Sequence, residues 1–258
     1  MVKQLQKLSV VSCPSPVASC PLRHSLYAIK HDGQLTTDNG QVSVLTSRRG
    51  FMFEIEGFIL AGGASSRMGR DKARLRLGGA TFVARIAGAL HTITPQVRLV
   101  SARPDSAELN LPVVPDLFRE CGALGGLHAA LKVCRASWAA VVSCDLPFIT
   151  GDLLSRLATL AAPEYEAVAP LQADGRVQPL CALYSRTACL ARAEELLQAG
   201  ELRPRVLLQQ VRTRFVLPAE LDDLSNSDLL FLNINTPADF ARAQEIIKQR
   251  LESRSLIH

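Results

Sequence analysis

No run in the chain approaches the ~18 consecutive apolar residues that a membrane-spanning helix requires, which argues against a membrane protein. Cys-x-x-Cys pairs are also missing. The seven cysteines (Cys13, Cys20, Cys121, Cys134, Cys144, Cys181 and Cys189) are scattered, so structural zinc and thioredoxin-type redox chemistry have no support. They read instead as small buried hydrophobes of a protein in a reducing compartment. A concentrated basic patch is lacking too. The net charge is +5, but Lys3, Lys7, Arg23, Lys30, Arg48 and Arg49 face only Asp32 and Asp38 in the first 52 residues. Of the 29 basic and 24 acidic residues, 23 and 22 remain beyond that point, a balance that argues against nucleic acid as a partner. What is present, 258 residues with 48% hydrophobic and 21% charged, is the profile of a soluble globular domain with or without an appendage.

Residues 1–52 are rich in Ser, Pro, Thr and Gln and carry neither a sustained helical nor a sustained strand period. They read as an N-terminal extension that is disordered or weakly folded, or else as a segment preceding a true start at Met52. Residues 53–258 form the domain. Ile55 to Ala61 is a buried strand running into glycines. Thr81 to Ile93 sets Val83, Ile86, Leu90 and Ile93 on one helical face. Strands follow at Val97 to Val100 and Trp138 to Cys144, with a helix at Gly125 to Cys134 and another capped by Thr150. Further strands are expected at Ala167 to Pro170, Leu180 to Tyr184 and Phe231 to Ile234, and helices at Thr187 to Gln198, Arg205 to Val211 and Pro237 to Leu251. This alternation predicts an α/β fold, a mostly parallel sheet covered by helices on both faces. Ligands in such folds sit beyond the carboxyl ends of the strands. That directs attention to the segments after Ala61, Val100, Val114 and Cys144.

The richest of these is Leu60-Ala61-Gly62-Gly63-Ala64-Ser65-Ser66-Arg67-Met68-Gly69-Arg70-Asp71-Lys72. Gly62, Gly63 and Gly69 allow backbone angles and close approach closed to other residues, so several N–H groups can turn toward one anion. Arg67 and Lys72 add positive charge suited to phosphate oxygens. A P-loop is excluded by the spacing from Gly63 to Gly69 and by Arg70 in the lysine position, and Gly-x-Gly-x-x-Gly does not occur. Asp145, after a buried strand and stiffened by Pro147, is the best candidate for a magnesium ligand; capping a turn is its alternative role. Gly122 to Gly126 opens a helix whose N–H groups favour an anion, and its small residues equally suit packing against a base. Thr236-Pro237-Ala238-Asp239 has the form of a helix start, with Thr as cap and Asp three residues on.

The wording of the glycine-rich loop resembles the signature of the molybdenum cofactor guanylyltransferase (MobA) family, nucleotidyltransferases of the sugar-nucleotide type. Val114-Pro115-Asp116, Gly122-Ala123-Leu124-Gly125-Gly126-Leu127, Ser143-Cys144-Asp145-Leu146-Pro147, Gln178-Pro179-Leu180-Cys181-Ala182-Leu183-Tyr184 and Asn233-Ile234-Asn235-Thr236-Pro237 extend the resemblance from about Glu54 to Arg250. It implies a Rossmann-like three-layer fold in the cytoplasm. It also implies transfer of GMP from GTP to molybdopterin-bound molybdenum cofactor, with release of pyrophosphate. On this pattern Leu60, Ala61, Gly62, Gly63, Lys72, Ser101, Asp116 and Asp145 contact the nucleotide, and Asp145 also binds Mg2+. Ser101 stands where relatives often carry Asn. Arg67, Lys72 and Asp145 make up the expected catalytic set, and Gln178, Asn233 and Asn235 are weaker candidates for the second substrate, as are Arg176, Arg203 and Arg205. The expected partners are the two substrates and, transiently, proteins of cofactor synthesis or recipient molybdoenzymes. The alternative is a CTP-dependent molybdenum cofactor cytidylyltransferase or a sugar-phosphate nucleotidyltransferase; the Gly62-Gly63 pair and the Gly122 to Gly126 run lean toward guanine.

Overall fold

The structure is a computed structural model that describes residues 51–61, 72–101, 111–116 and 121–255, together with residues 28–29, 35–36 and 42–43. The chain divides into two units between Phe53 and Glu54. In the first, β1 (Ala28–Ile29), β2 (Leu35–Thr36) and β3 (Val42–Ser43) pair antiparallel in that order. These pairings are only two residues long, which is why no strand period marks them in the sequence.

In the second unit, β4 (Ile55–Leu60) is buried along its whole length, and parallel partners occupy both its edges. On one side lie β7 (Val97–Ser101) and then β8 (Val113–Pro115), both parallel to it. On the other side β9 (Trp138–Ser143) is parallel, β11 (Cys181–Ser185) runs antiparallel to β9, and β10 (Ala167–Pro170) and β12 (Thr213–Val216) complete the sheet. The strand order is β12-β10-β11-β9-β4-β7-β8. Six of the seven strands share one direction, so the expected mostly parallel sheet is what forms.

Helices cover both faces because strands buried on both sides must be shielded twice. Phe58 and Leu60 of β4, with Ala139 and Val141 of β9, join the core beneath α2 (Gly122–Val133), α4 (Arg186–Gln198) and α5 (Pro204–Gln210). On the other face α1 (Phe82–Leu90) packs beside α3 (Gly151–Thr159). Gly57 lets α1 approach: a Cβ there would lie 3.3 Å from Leu90, Thr94 and Val97 side chains. A third apolar cluster, made of Leu77, Phe82, Phe148, Leu229, Ile234 and Ala243, seats α6 (Pro237–Ser255). Phe82 and Phe240 meet there with ring centroids 6.1 Å apart.

Four of the five described cysteines are buried, as the sequence suggests; Cys13 and Cys20 lie outside the described residues. Cys134, Cys144, Cys181 and Cys189 are buried and Cys121 is half-buried. Burial pushes the Cys134 and Cys189 thiols up to about 12, which keeps them protonated and inert. No helix among the described residues is long and apolar enough to cross a membrane.

Two local expectations are corrected. Phe231 to Ile234 is not a strand; it is a turn and an extended linker outside the sheet, in which Leu232 N–H bonds to the Leu229 carbonyl at 2.9 Å. Its Leu232 and Ile234 serve the cluster under α6 rather than a ladder. The helix expected from Gly125 begins at Gly122. Thr150 caps α3 as expected, accepting from Leu153 N–H at 3.3 Å.

Next to that cap, α1 and α3 touch through Thr92 and Gly151. The Thr92 hydroxyl donates to the Ala89 carbonyl at 2.7 Å and reaches the Gly151 carbonyl at 3.3 Å. A Cβ on Gly151 would overlap the Thr92 side chain, which those bonds hold in place. Gly151→Ala is therefore expected to lower stability by ~1–3 kcal/mol, read as a lower melting temperature. Gly79→Ala is not a suitable control, since Gly79 has φ of 88°; Gly88→Ala, with open space around its Cβ, should leave the melting temperature unchanged or raised.

Candidate active site

The carboxyl ends of β4, β7, β8 and β9 lie side by side, and the sheet ladder continues past them into the loops. Ala61 N–H donates to the Val100 carbonyl at 2.8 Å, and Cys144 N–H donates to the Leu60 carbonyl at 3.0 Å. The strand that feeds the glycine-rich loop is thus tied to both neighbours at the residue where the loop begins. On the far side, Asp116 N–H donates to the Ser101 carbonyl at 3.3 Å, which places these two buried residues together.

Between these strand ends and α2 lies a small recess lined by Leu60, Val100, Asp116, Gly122, Gly126, Ser143 and neighbouring side chains. The lack of a side chain on Gly126 opens it: a Cβ would stand 3.6 Å from Leu60 and 3.9 Å from the Asp116 carboxylate. Gly122 has φ of 55°, the left-handed region that favours glycine, and it starts α2 beside the recess. The recess has apolar walls with a carboxylate at one side and a helix N-terminus at the other. That combination suits a flat heterocycle whose N–H groups need an acceptor.

A second focus forms around Lys72, the first described residue after the glycine-rich loop. Its ammonium donates to Asn235 Oδ1 at 2.7 Å, joining residues 163 positions apart. Asp145 comes to the same place by a backbone bond, since Ile234 N–H donates to the Asp145 carbonyl at 2.9 Å. The turn carrying Asp145 is braced from α1. Arg85 Nε donates to the Pro147 carbonyl at 3.0 Å, and its Nη1 reaches the Leu77 carbonyl at 3.4 Å. Sequence reasoning missed Arg85; the signal was a charged residue set between Val83 and Ile86 on an otherwise apolar helix.

The expected start of α6 is present. Asp239 N–H donates to Thr236 Oγ1 at 3.1 Å, while Asp239 Oδ2 accepts from Thr236 N–H at 2.8 Å and from Asn235 N–H at 3.0 Å. This reciprocal cap fixes the peptide that carries Asn235. The Asn235 N–H holds the Asp239 carboxyl below the usual aspartate range, with the Thr236 hydroxyl and N–H and the charge of Lys72 contributing.

Of the predicted site residues, Leu60 and Asp116 line the recess, Ser101 is joined to Asp116 through its backbone carbonyl, and Ala61 stands at the strand end beside Leu60. Lys72, Asn235 and Asp145 form the second group. Asn233 is exposed two residues before Asn235, and Gln178 is buried two residues before Leu180, whose carbonyl accepts from Ser143 N–H at 2.8 Å. Gly62, Gly63 and Arg67 lie outside the described residues. Arg176 and Arg203 are engaged with neighbouring carboxylates, Asp174 at 2.6 Å and Glu201 at 2.5 Å, and Arg205 is exposed. Ser143 and Leu180 are additions from the structure, recognisable only once β9 and β11 are paired.

Residues 57–214 match the MobA-like NTP transferase domain family. The chain belongs to that family. A probable molybdenum cofactor guanylyltransferase of Pelotomaculum thermopropionicum is 36% identical over 196 residues, which cover 75% of this chain and 93% of that protein. A molybdenum cofactor guanylyltransferase of Rhizobium leguminosarum bv. trifolii is also 36% identical, over 74% of this chain and 92% of its own. The crystal structure of molybdopterin-guanine dinucleotide biosynthesis protein A from Archaeoglobus fulgidus superposes with a TM-score of 0.64 at 25% identity, covering 75% of this chain and 99% of that one. The seven-stranded mixed sheet with helices on both faces is thus the MobA-like nucleotidyltransferase fold.

A carboxylate whose folded-state pKa is depressed stabilises the fold above its unfolded value and loses that contribution as pH falls through the lowered one. Asp239 should therefore titrate by 13C NMR with a midpoint below the ordinary 3.8, and its cap on α6 should persist until that lower pH is reached. A midpoint at or above the ordinary value would contradict the bonding described.

Proposed function

We propose that this chain transfers GMP from GTP to molybdopterin-bound molybdenum cofactor, forming the guanine dinucleotide cofactor and pyrophosphate. The observation that carries this reading is the convergence, at one end of a MobA-like sheet, of Lys72, Asn235 and the Asp145 turn near the recess between the strand ends and α2. The guanylyltransferase relatives, matched over more than nine-tenths of their length, supply the substrates.

In the reaction a phosphate oxygen of the acceptor attacks the α-phosphorus of GTP. The new P–O bond forms as the bond to the bridging α–β oxygen breaks, and pyrophosphate leaves with that electron pair. An ionised phosphate is already a nucleophile, so the protein needs no general base; its task is alignment and charge stabilisation. Lys72 offsets charge on the triphosphate, with Arg67 and the backbone of Gly62 and Gly63 in the same role. Leu60, Ser101 and Asp116 hold the nucleoside in the recess, with Asp116 as acceptor for its N–H or hydroxyl groups. Gln178 and Asn233 are assigned to contacts with the second substrate.

Magnesium fits the residues present. Among the described residues no group of three or more His, Cys, Asp or Glu side chains converges, which argues against an all-protein metal cage. A single half-buried aspartate at a strand end matches the habit of magnesium, which takes one or two carboxylates and completes its shell with phosphates and water. Asp145 would hold the ion, which when bound neutralises charge on the phosphates and leaving group. Action inside the cytoplasm and brief contact with cofactor-synthesis proteins or recipient molybdoenzymes belong to the same proposal.

Pyrophosphate release with magnesium, molybdopterin-bound molybdenum cofactor and each of GTP, CTP, ATP and UTP tests it. GTP alone should support release, and Asp145→Asn should reduce the rate by roughly 10²-fold or more with the fold intact. Preference for CTP would reassign the base, and full activity of Asp145→Asn would remove the metal assignment.

A further inference from the structure

A lysine on an exposed loop end is a poor catalytic group unless something holds it, because its flexible stem samples many rotamers. Lys72 is held: its ammonium bonds to Asn235 Oδ1 at 2.7 Å. Between two surface side chains with free backbones, such a bond would contribute little. Here the acceptor is fixed from three sides. Ile234, fully buried in the cluster under α6, anchors the residue that follows it, and its N–H is tied to the Asp145 carbonyl at 2.9 Å. Asp239 Oδ2 takes the N–H of Asn235 itself at 3.0 Å and that of Thr236 at 2.8 Å. Thr236 returns the bond through its hydroxyl to Asp239 N–H at 3.1 Å, and α6 is clamped below by Phe240 against Phe82.

We propose that Asn235 and Asp239 are positioning residues for Lys72: Asp239 fixes the Asn235 peptide, and the Asn235 side-chain carbonyl holds the Lys72 ammonium where the triphosphate binds. The inference rests on the phosphate role given to Lys72 above. It departs from the sequence expectation that Asn235 contacts the second substrate. An ammonium has three N–H donors; with one on Asn235, the other two are aimed and suited to phosphate oxygens. The acceptor is neutral, so it orients the charge without cancelling it, whereas a carboxylate in direct contact would compete with the phosphates. Asp239 supplies its negative charge one step back, spent on two backbone N–H groups and the helix N-terminus. The C-terminal helix thereby becomes part of the nucleotide site although none of its residues need touch the nucleotide.

The test is a double-mutant cycle on the full chain, reading the affinity for GTP with magnesium in the absence of any acceptor, so that a role toward the second substrate is silent. Asn235→Ala should weaken GTP binding about tenfold, the worth of one hydrogen bond to a charged group. The same substitution should have almost no effect in a Lys72→Ala background, since the group it positions is gone. Asp239→Asn should weaken binding severalfold and be equally silent when Lys72 is absent. Asn235→Asp should not recover the loss, because the carboxylate it sets against the Lys72 ammonium competes with the phosphates. A merely structural role would lower melting temperature alike in both backgrounds and leave no coupling. Losses that multiply between Asn235→Ala and Lys72→Ala would overturn the relay while leaving Lys72 as a phosphate group. So would unchanged GTP affinity in Asn235→Ala beside a weakened Lys72→Ala. Unchanged affinity in Lys72→Ala alone would instead remove the phosphate role of Lys72, and the relay with it.

Discussion

Everything in the site depends on the parallel pairing of β4 with strands on both of its edges. Parallel neighbours cannot be joined by tight turns, so the chain leaves β4 by a loop and returns to β7 through α1, and it reaches β9 through α2. The loops after β4, β7 and β9 therefore all open at the same end. The bonds from Ala61 N–H to the Val100 carbonyl and from Cys144 N–H to the Leu60 carbonyl carry that register to the last residue before the chain departs. A slip of β4 against either neighbour would part the start of the glycine-rich loop from Ser101 or from Asp145. The buried, featureless interior of the sheet is what gives its polar rim a fixed geometry.

The rim is completed by a segment that is not part of the sheet. The extended stretch before α6 crosses beneath Asp145, bonds to its carbonyl through Ile234, and presents Asn235 to Lys72. Two kinds of force hold it. Burial of Ile234, Leu229 and Ala243 against Leu77, Phe82 and Phe148 fixes its position, and the Thr236–Asp239 cap fixes its direction. Arg85 does for the Asp145 turn what Asp239 does for Asn235, offering a charged donor to a backbone carbonyl rather than to a substrate. Lys72 and the Asp145 turn are thus each backed by a residue that stays behind them.

Much of this was legible beforehand, for physical reasons that differ by element. β9 and β10 announce themselves because strands buried on both faces are apolar runs, here followed by aspartate or ending in proline, and β4 does so by its Phe58-Ile59-Leu60 run into glycines. The α3 and α6 starts were readable because Thr150 and Thr236 cap in the ordinary way. β12 escaped notice: Thr213–Val216 is a four-residue edge strand with two half-exposed residues and an exposed Phe215, a pattern no different from a loop. The β5–β6 hairpin, Arg76–Leu77 and Ala80–Thr81, is too short to show a period. Phe231 to Ile234 misled in the other direction, since apolar content alone does not separate a sheet strand from a linker buried under a helix. In the site, Asp145, Lys72 and Asp116 stood out by position after strands, but the Lys72–Asn235 bond spans 163 residues, and only the fold could reveal it.

The central claim is that one sheet end holds nucleotide and metal together, with Asp145 at the ion. Crystals grown with manganese in place of magnesium and a GTP analogue blocked at the α–β bridge test it most directly through anomalous scattering. A manganese peak at the Asp145 carboxylate is expected, with the base in the recess between Leu60, Asp116 and Gly126 and a phosphate within hydrogen-bond reach of Lys72. A manganese peak away from Asp145, or a nucleotide bound elsewhere on the chain, would contradict it.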